Sequence, residues 1–215
     1  MPSIQDSTIL IIGGSSGIGY GVAEKCLTEG ARVHIASSNK SRVHSSVKSL
    51  KEKISNAPIS GHVCDLSSRD VEKNLEQLLS TVAPIDHIVF TAGDSLAIMP
   101  LDSIDLDMIQ RAGHIRWLPE AIPNWSLVAG YLTGLHGLTR NLALDLKPLR
   151  VNLVSPGVVV TPLWGQDGVP DEMKNHTTLG KVGTPDEVAE AYVYLMKDTN
   201  ATGSCISTNA GSLLL

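Results

Sequence analysis

A glycine-rich stretch near the N-terminus has the residue types and spacing that hold a dinucleotide pyrophosphate. The stretch from Gly13 to Gly19, Gly-Gly-Ser-Ser-Gly-Ile-Gly, follows an apolar run at 9–12 and precedes residues with helical spacing. Gly13 permits a tight turn, Gly17 lets the backbone approach phosphate oxygens, and Gly19 lets the helix pack closely on the strand. The helix N-terminus then offers unpaired N–H groups to an anion. The pattern predicts a dinucleotide site, with an ordinary glycine-rich turn as the alternative.

The end of the second predicted strand favours NADP(H) over NAD(H). An NAD site usually has a carboxylate there, which binds the ribose 2′-hydroxyl. In this chain the residues are Ser37, Ser38, Asn39 and Lys40, with Arg42 two positions later, and none of them is acidic. Two hydroxyls, an amide and two cations can bind a 2′-phosphate, and no carboxylate repels it. The alternative is that Lys40 and Arg42 are solvated residues at the start of a helix.

Alternating strand and helix patterns along the chain must position these residues. Short apolar runs predict strands, and longer amphipathic stretches predict helices. Strict alternation predicts an α/β fold, with a single doubly wound Rossmann-type parallel sheet and helices on both faces. The predicted strands are 9–12, 32–36, 59–64, 86–90, 150–154 and 204–208, and the predicted helices are 20–29, 41–54, 68–82, 126–146 and 186–196.

Composition argues against several classes of function. The chain has 215 residues, a net charge of −5 and an isoelectric point near 5.8, which favour one domain and disfavour nucleic acid as a partner. Its apolar runs are too short to cross a bilayer and no signal-peptide pattern opens it, so we expect a cytoplasmic protein. Three scattered cysteines, Cys26, Cys64 and Cys205, fit reduced thiols better than disulfides. The histidines lack ligand-like spacing, so no metal is expected.

With these elements in place, the chain resembles the short-chain dehydrogenase/reductase family along nearly its whole length. The glycine stretch matches the family's cofactor turn, with Gly13 where the family has Thr. Thr91-Ala92-Gly93 is similar to its Asn-Ala-Gly motif, with Thr in place of Asn. The resemblance implies that Asp65 and Leu66 contact adenine, and that the loop from Ser155 to Thr161 covers nicotinamide. The expected cofactor-binding residues are Gly13, Ser15, Ser16, Gly17, Ile18, Gly19, Ser37, Ser38, Asn39, Lys40, Asp65, Leu66, Ala92, Gly93, Pro156, Gly157, Val159 and Thr161.

The family's catalytic Tyr and Lys are missing from their expected positions. In the family these residues lie four apart on the helix before a Gly-Leu-Thr-Arg stretch. There the Lys lowers the Tyr pKa, and the Tyr passes a proton to the substrate carbonyl. Registered on Gly137, the two positions hold Val128 and Leu132, which cannot transfer a proton. Tyr131 lies nearby as a candidate displaced acid, and a role in packing or substrate contact is its alternative.

The middle of the chain is shorter than the resemblance implies. The family has a long helix, a fifth strand with a catalytic Ser, and a loop before the late helix. Here residues 107–116 supply about two to three helical turns, no apolar run fits a strand, and Ile115 stands where the Ser would lie. A naturally reduced protein, a splice variant and a protein with a deleted loop would all give this pattern. The candidate catalytic residues are Tyr131, Arg116 and His114, although Arg116 can equally be a surface ion-pair partner.

Three functions fit these residues. The first is an NADP(H)-binding oxidoreductase that acts on a small organic carbonyl, alcohol or imine without the usual catalytic residues. The second is a redox-neutral cyclase or isomerase of fungal secondary metabolism, because the late part of the chain is similar to a fungal branch of the family. The third is a catalytically inactive nucleotide-binding homologue. The resemblance implies that residues 162–181 cover the substrate. The shortened segment commonly forms the family's dimer interface, so a homo-oligomer is left open.

Overall fold

The computed structural model describes residues 1–93 and 126–214, which belong to two compact units. The first unit comprises Met1–Ala92 and Val188–Asp198, and the second comprises Gly93–Glu187 and Thr199–Leu215. The strands are β1 (Thr8–Ile12), β2 (Arg32–Ser37), β3 (Ile59–Val63), β4 (His87–Phe90), β5 (Leu153–Pro156) and β6 (Cys205–Thr208), and the α-helices are α1 (Gly17–Thr28), α2 (Lys40–Lys53), α3 (Val71–Val82), α4 (Ser126–Asp145) and α5 (Pro185–Lys197).

A four-stranded parallel sheet forms the centre of the first unit. Its strand order is β3-β2-β1-β4, so the chain moves outward from β1 to β3 and then returns to the other side of β1. On β1, Ile9 lies opposite Val33 of β2 and His87 of β4. The strand order therefore reverses at β1 and β4, and open α/β sheets bind their ligands at such a reversal, beyond the carboxyl ends of the strands.

Apolar side chains fill both faces of this sheet, because alternate residues of a strand point to opposite sides. Ile9 and Ile11 belong to a buried cluster with residues of α1, α2 and α5. Leu10 and Ile12 belong to a second cluster with residues of α3. Burial on both faces explains why β1 is a continuous apolar run rather than an alternating one. The predicted α/β fold, with a parallel sheet and helices on both faces, is confirmed.

The second unit contains a parallel two-stranded ladder of β5 and β6. Side chains hold the residues that precede it. The Asn152 amide donates to the Ala201 carbonyl (2.8 Å), and its oxygen accepts from the Ser204 N–H (3.1 Å). Arg150 also donates to the Ala201 carbonyl (3.1 Å). The Gly203 N–H also donates to the Val151 carbonyl at 2.7 Å. The regular ladder begins at Leu153, three residues later than predicted.

Helix α3 also begins three residues later than predicted, at Val71. The residues before it are held in side-chain turns, since Asp65 accepts from the Ser67 N–H (2.9 Å) and Ser68 accepts from the Asp70 N–H (3.2 Å).

The described strands pair as one four-stranded and one two-stranded ladder, one in each unit. The predicted loss of a fifth strand concerns residues 94–125, which lie outside the described residues.

Candidate dinucleotide site

The turn between β1 and α1 requires glycine. Gly13 has a φ of +96°, and a Cβ there would lie 2.3 Å from the backbone nitrogen of Ala92. Gly17 also has a positive φ, 53°, which residues with a side chain rarely adopt. A Cβ on Gly19 would lie 2.4 Å from both the Gly13 carbonyl oxygen and Thr91 Oγ1. The turn therefore packs too closely on the end of β4 to accept side chains at these positions.

The first turn of α1 offers backbone donors next to this turn. Ser16 is the N-cap residue, its backbone is extended (φ −164°), and its side chain makes no capping hydrogen bond. The N–H groups of Gly17, Ile18 and Gly19 come too early in the helix to have an intrahelical acceptor. Such N–H groups at the positive end of a helix dipole suit a phosphate anion. The residues present therefore fit a dinucleotide pyrophosphate.

A buried hydroxyl on α2 fixes the glycine turn. Ser46 Oγ donates to the Ser15 carbonyl at 2.8 Å, and both residues are buried. The sequence prediction did not include Ser46. The sequence contains a signal for this contact, because Ser46 is a polar residue on the face of α2 that buries Val43 and Leu50. A polar residue at such a position needs a hydrogen-bond partner, and here the partner is the backbone of the turn.

Two exposed cations lie in the first turn of α2, just after Ser37 at the end of β2. Asn39 is the N-cap residue, and its side-chain oxygen accepts from the Arg42 N–H at 2.9 Å. Ser38, Lys40 and Arg42 are exposed. Neither cation forms an ion pair with a described residue. The capping bond therefore orients the start of the helix, and both cationic side chains are available to an anion.

Asp65 lies just after β3 and is held in a local turn. Its Oδ1 accepts from the Ser67 N–H (2.9 Å) and the Ser67 hydroxyl (2.7 Å). These hydrogen bonds stabilise the carboxylate and lower the pKa of Asp65. The neighbouring Cys64 N–H donates to the Ser37 carbonyl (3.0 Å), which brings the ends of β2 and β3 together. Leu66 is half-buried and packs against the apolar cluster beneath α3.

The end of β4 adjoins the end of β1. The Thr91 N–H donates to the Ile12 carbonyl at 2.8 Å, and the Thr91 hydroxyl donates to the same carbonyl at 3.3 Å. Ala92 packs against the cluster beneath α3, and Gly93 is exposed. One edge of the first unit's sheet therefore brings together the predicted binding segments 13–19, 37–40 and 65–66 with Ala92. Gly93, the other residue predicted after β4, is assigned to the second unit.

The residues predicted to lie on the nicotinamide side belong to the second unit. Pro156 is the last residue of β5, and the Gly157 N–H donates to a β6 carbonyl at 3.2 Å. Val159 is buried and forms a parallel β-bridge with Gly183. Thr161, half-buried, precedes a short 3-10 helix. These four residues therefore form a backbone-bonded extension of β5.

Residues 162–181, predicted to cover the substrate, contain two short 3-10 helices and are held by local hydrogen bonds. Trp164 Nε1 donates to the Val159 carbonyl at 3.0 Å. The buried Thr177 hydroxyl accepts from the Lys181 N–H at 3.1 Å. These two hydrogen bonds hold the segment near its start and near its end.

Of the three predicted catalytic residues, one belongs to a described element. Tyr131 lies within α4, as do Val128 and Leu132, which stand where the family has Tyr and Lys. His114 and Arg116 lie outside the described residues. The replacement of both family residues by hydrocarbon side chains means that a proton donor, if one acts, must come from elsewhere.

The three cysteines are not activated as nucleophiles. Burial raises the pKa of the Cys26 thiol to about 12, and it also raises those of Cys64 and Cys205. Within residues 1–93 and 126–214, no three His, Cys, Asp or Glu residues are grouped so that they could hold a metal ion. In the same part of the chain, no helix is both long and apolar enough to cross a membrane.

Comparison with known proteins identifies close fungal relatives. The chain is 37% identical to the short-chain dehydrogenase/reductase fsr5 of Gibberella fujikuroi, over 98% of this chain and 96% of that protein. It is 38% identical to the short-chain dehydrogenase/reductase malC of Malbranchea aurantiaca, with the same coverage. The solved structure of MalC Reductase/Diels-Alderase superposes with a TM-score of 0.87, at 36% identity, over 99% of this chain and 97% of that one.

The comparisons also show that the chain is shorter than its relatives. The alignment with fsr5 spans 254 positions, whereas the chain has 215 residues, so at least 39 positions have no counterpart in this chain. A family model of the SDR-like Rossmann domain matches residues 2–121 and, separately, residues 118–215. These two matches cover nearly the whole chain, which belongs to the short-chain dehydrogenase/reductase family.

Proposed function

We propose that this protein binds NADP(H) and is an oxidoreductase with a non-standard active site, acting on a small organic carbonyl, alcohol or imine. The observation that carries the cofactor proposal is the pair of exposed cations, Lys40 and Arg42, in the first turn of α2. They follow the end of β2, where no acidic residue is present. A 2′-phosphate bound there would meet two cations and no carboxylate.

The expected preference for NADPH can be estimated from exposed ion pairs. One such pair is worth up to about 1 kcal/mol. Two cations able to pair with a 2′-phosphate should therefore favour NADPH over NADH by about 1–2 kcal/mol, or roughly 5- to 30-fold in Kd. The hydroxyls of Ser37 and Ser38 can also donate hydrogen bonds. Such bonds are stronger to a charged 2′-phosphate than to the neutral 2′-hydroxyl of NADH. The preference is modest because both cations are solvated.

The chain's own residues would bind and orient the cofactor in three places. The N–H groups of 17–19 hold the pyrophosphate, residues 37–42 hold the 2′-phosphate, and residues 65–66 with Ala92 contact adenine. The bound nicotinamide supplies or accepts the hydride. Because Val128 and Leu132 cannot donate a proton, the proton comes from Tyr131, from His114 or from water, and Arg116 would bind the substrate's carbonyl or anionic oxygen.

A redox-neutral cyclase is the second candidate function. MalC, whose structure is described as that of a reductase and Diels-Alderase, is 36% identical to this chain. A cycloaddition needs two reacting ends of one substrate to be held together, and it needs no proton donor. The absence of the family's Tyr and Lys is therefore compatible with a cycloaddition. In either case we propose that residues 162–181 cover the substrate within a single Rossmann-type domain.

Turnover assays separate these functions. NADPH oxidation is measured with a panel of cyclic imines and ketones, and the products are analysed by mass spectrometry. Loss of NADPH with a product heavier by two hydrogens supports the oxidoreductase. An isomeric product without NADPH loss supports the cyclase. NADPH binding with neither product would show the third function, a nucleotide-binding homologue without catalysis, and would overturn the catalytic proposal.

A further inference from the structure

Two histidines on the neighbouring strands β2 and β3 lie in direct contact. His34 of β2 lies opposite Ser60 of β3, and His62 lies opposite Ala36, so the two histidines are diagonal neighbours on one face of the sheet. His34 Nδ1 and His62 Nε2 are 3.0 Å apart, and the ring centroids are 5.2 Å apart with 27° between the planes. Both residues are half-buried.

Burial favours the neutral form of both imidazoles. Burial lowers the pKa of His34, and the neighbouring His62 lowers it further. Burial also lowers the pKa of His62. A neutral imidazole has one N–H and one lone pair, so the present contact is a single N–H···N hydrogen bond. A change of tautomer in the ring that donates would leave two lone pairs facing each other, with no change in net charge.

We propose that His34 and His62 form a two-imidazole site for a divalent transition metal of the Cu(II) or Ni(II) class. Imidazole is a ligand of both ions, which favour square-planar or tetragonal geometry. With metal–nitrogen bonds of about 2.0 Å, two ligands at a right angle are about 2.8 Å apart, and two tetrahedral ligands are about 3.3 Å apart. The spacing of 3.0 Å lies closer to the right-angle value.

Water completes the coordination, because both side chains are partly accessible and no third His, Cys, Asp or Glu among the described residues joins them. A bound ion would link β3, which pairs only with β2 among the described strands, to its neighbour. An ion that binds the folded state and not the unfolded one stabilises the protein, and above Kd the gain grows with the logarithm of the ion's concentration. This inference does not depend on the bound nucleotide.

Thermal unfolding and copper spectroscopy test the site. We expect NiCl2 to raise the melting temperature of the whole protein, and EDTA to reverse the rise. The rise should be lost in both His34→Gln and His62→Gln, since one imidazole cannot chelate. It should persist in His44→Gln, which removes an exposed histidine of α2. Electron paramagnetic resonance of the Cu(II) complex should show two imidazole nitrogens.

Several results would overturn the proposal. One is an unchanged melting temperature of the parent protein at saturating nickel. Another is a nickel-induced rise that is equal in the parent and in either His→Gln variant at positions 34 and 62. If neither variant folds, the copper spectrum of the parent protein decides the question, because a single coordinated nitrogen refutes a two-imidazole site.

Discussion

Replacing Gly19 by alanine should displace α1 from the glycine turn. The new Cβ would lie 2.4 Å from the Gly13 carbonyl oxygen, a backbone atom that cannot rotate away. An ordinary carbon–oxygen contact needs about 3.3 Å, so the helix must move by close to 1 Å. Overpacking of this kind costs about 1–3 kcal/mol, and the better helix propensity of alanine returns about 1 kcal/mol. We expect a net loss of up to about 2 kcal/mol, or up to roughly 8 °C in melting temperature for a chain of this size.

The same displacement should weaken dinucleotide binding, because the N–H groups of the first turn of α1 move with the helix. We expect Kd for NADPH to rise at least tenfold, which corresponds to about 1.4 kcal/mol. Gly137→Ala in α4 is the matched control, since its Cβ would meet no described atom within 4 Å. That variant should be as stable as the parent or up to about 1 kcal/mol more stable. Chemical denaturation and fluorescence titration measure both effects. If Gly19→Ala behaves like Gly137→Ala in both assays, the close-packed turn described above is wrong.

Three further predictions concern the nucleotide and the sheet. Replacing both Lys40 and Arg42 by alanine should weaken NADPH binding roughly 5- to 30-fold in calorimetry and leave NADH binding unchanged; equal weakening of both nucleotides would argue against a 2′-phosphate contact. Ser46→Ala should lower the free energy of unfolding by about 1 kcal/mol and raise Kd for both nucleotides alike, and an unchanged Kd would show that the turn needs no support from α2. His34 and His62 have pKa values below the ordinary 6.5 in the folded state, so the unfolded chain binds protons first, and the free energy of unfolding should fall as the pH drops below about 6.5. Metal-free urea denaturation between pH 5 and 8 measures this slope, which should be shallower when both histidines are replaced by glutamine.

The sequence predicts well those features that depend on short-range patterns. The continuous apolar run of β1 indicates a strand buried on both faces, and the structure has that strand between two apolar clusters. The glycines at 13 and 19 indicate close packing, and the structure gives the contacts that require them. The absence of a carboxylate after β2 can be read directly from the sequence, without the structure.

Features that depend on strand register or on distant contacts were not predictable. The contact of His34 with His62 requires β2 and β3 to pair with position 36 opposite position 62, and nothing in the sequence fixes that pairing. The bond from Ser46 to the turn joins residues 31 positions apart. The side-chain hydrogen bonds that hold the residues before β5 are also distant contacts, because Arg150 and Asn152 lie 51 and 49 positions from Ala201, whose carbonyl accepts both.

The most direct test of the central claim is a calorimetric titration of the protein with NADPH and, separately, with NADH. The proposed site predicts that both nucleotides bind, because they share the pyrophosphate that the glycine turn holds. It also predicts that NADPH binds roughly 5- to 30-fold more tightly, and that this preference shrinks as salt screens the two cations. Tighter binding of NADH, or no binding of either nucleotide, would contradict the claim that this turn and the start of α2 form an NADP(H) site.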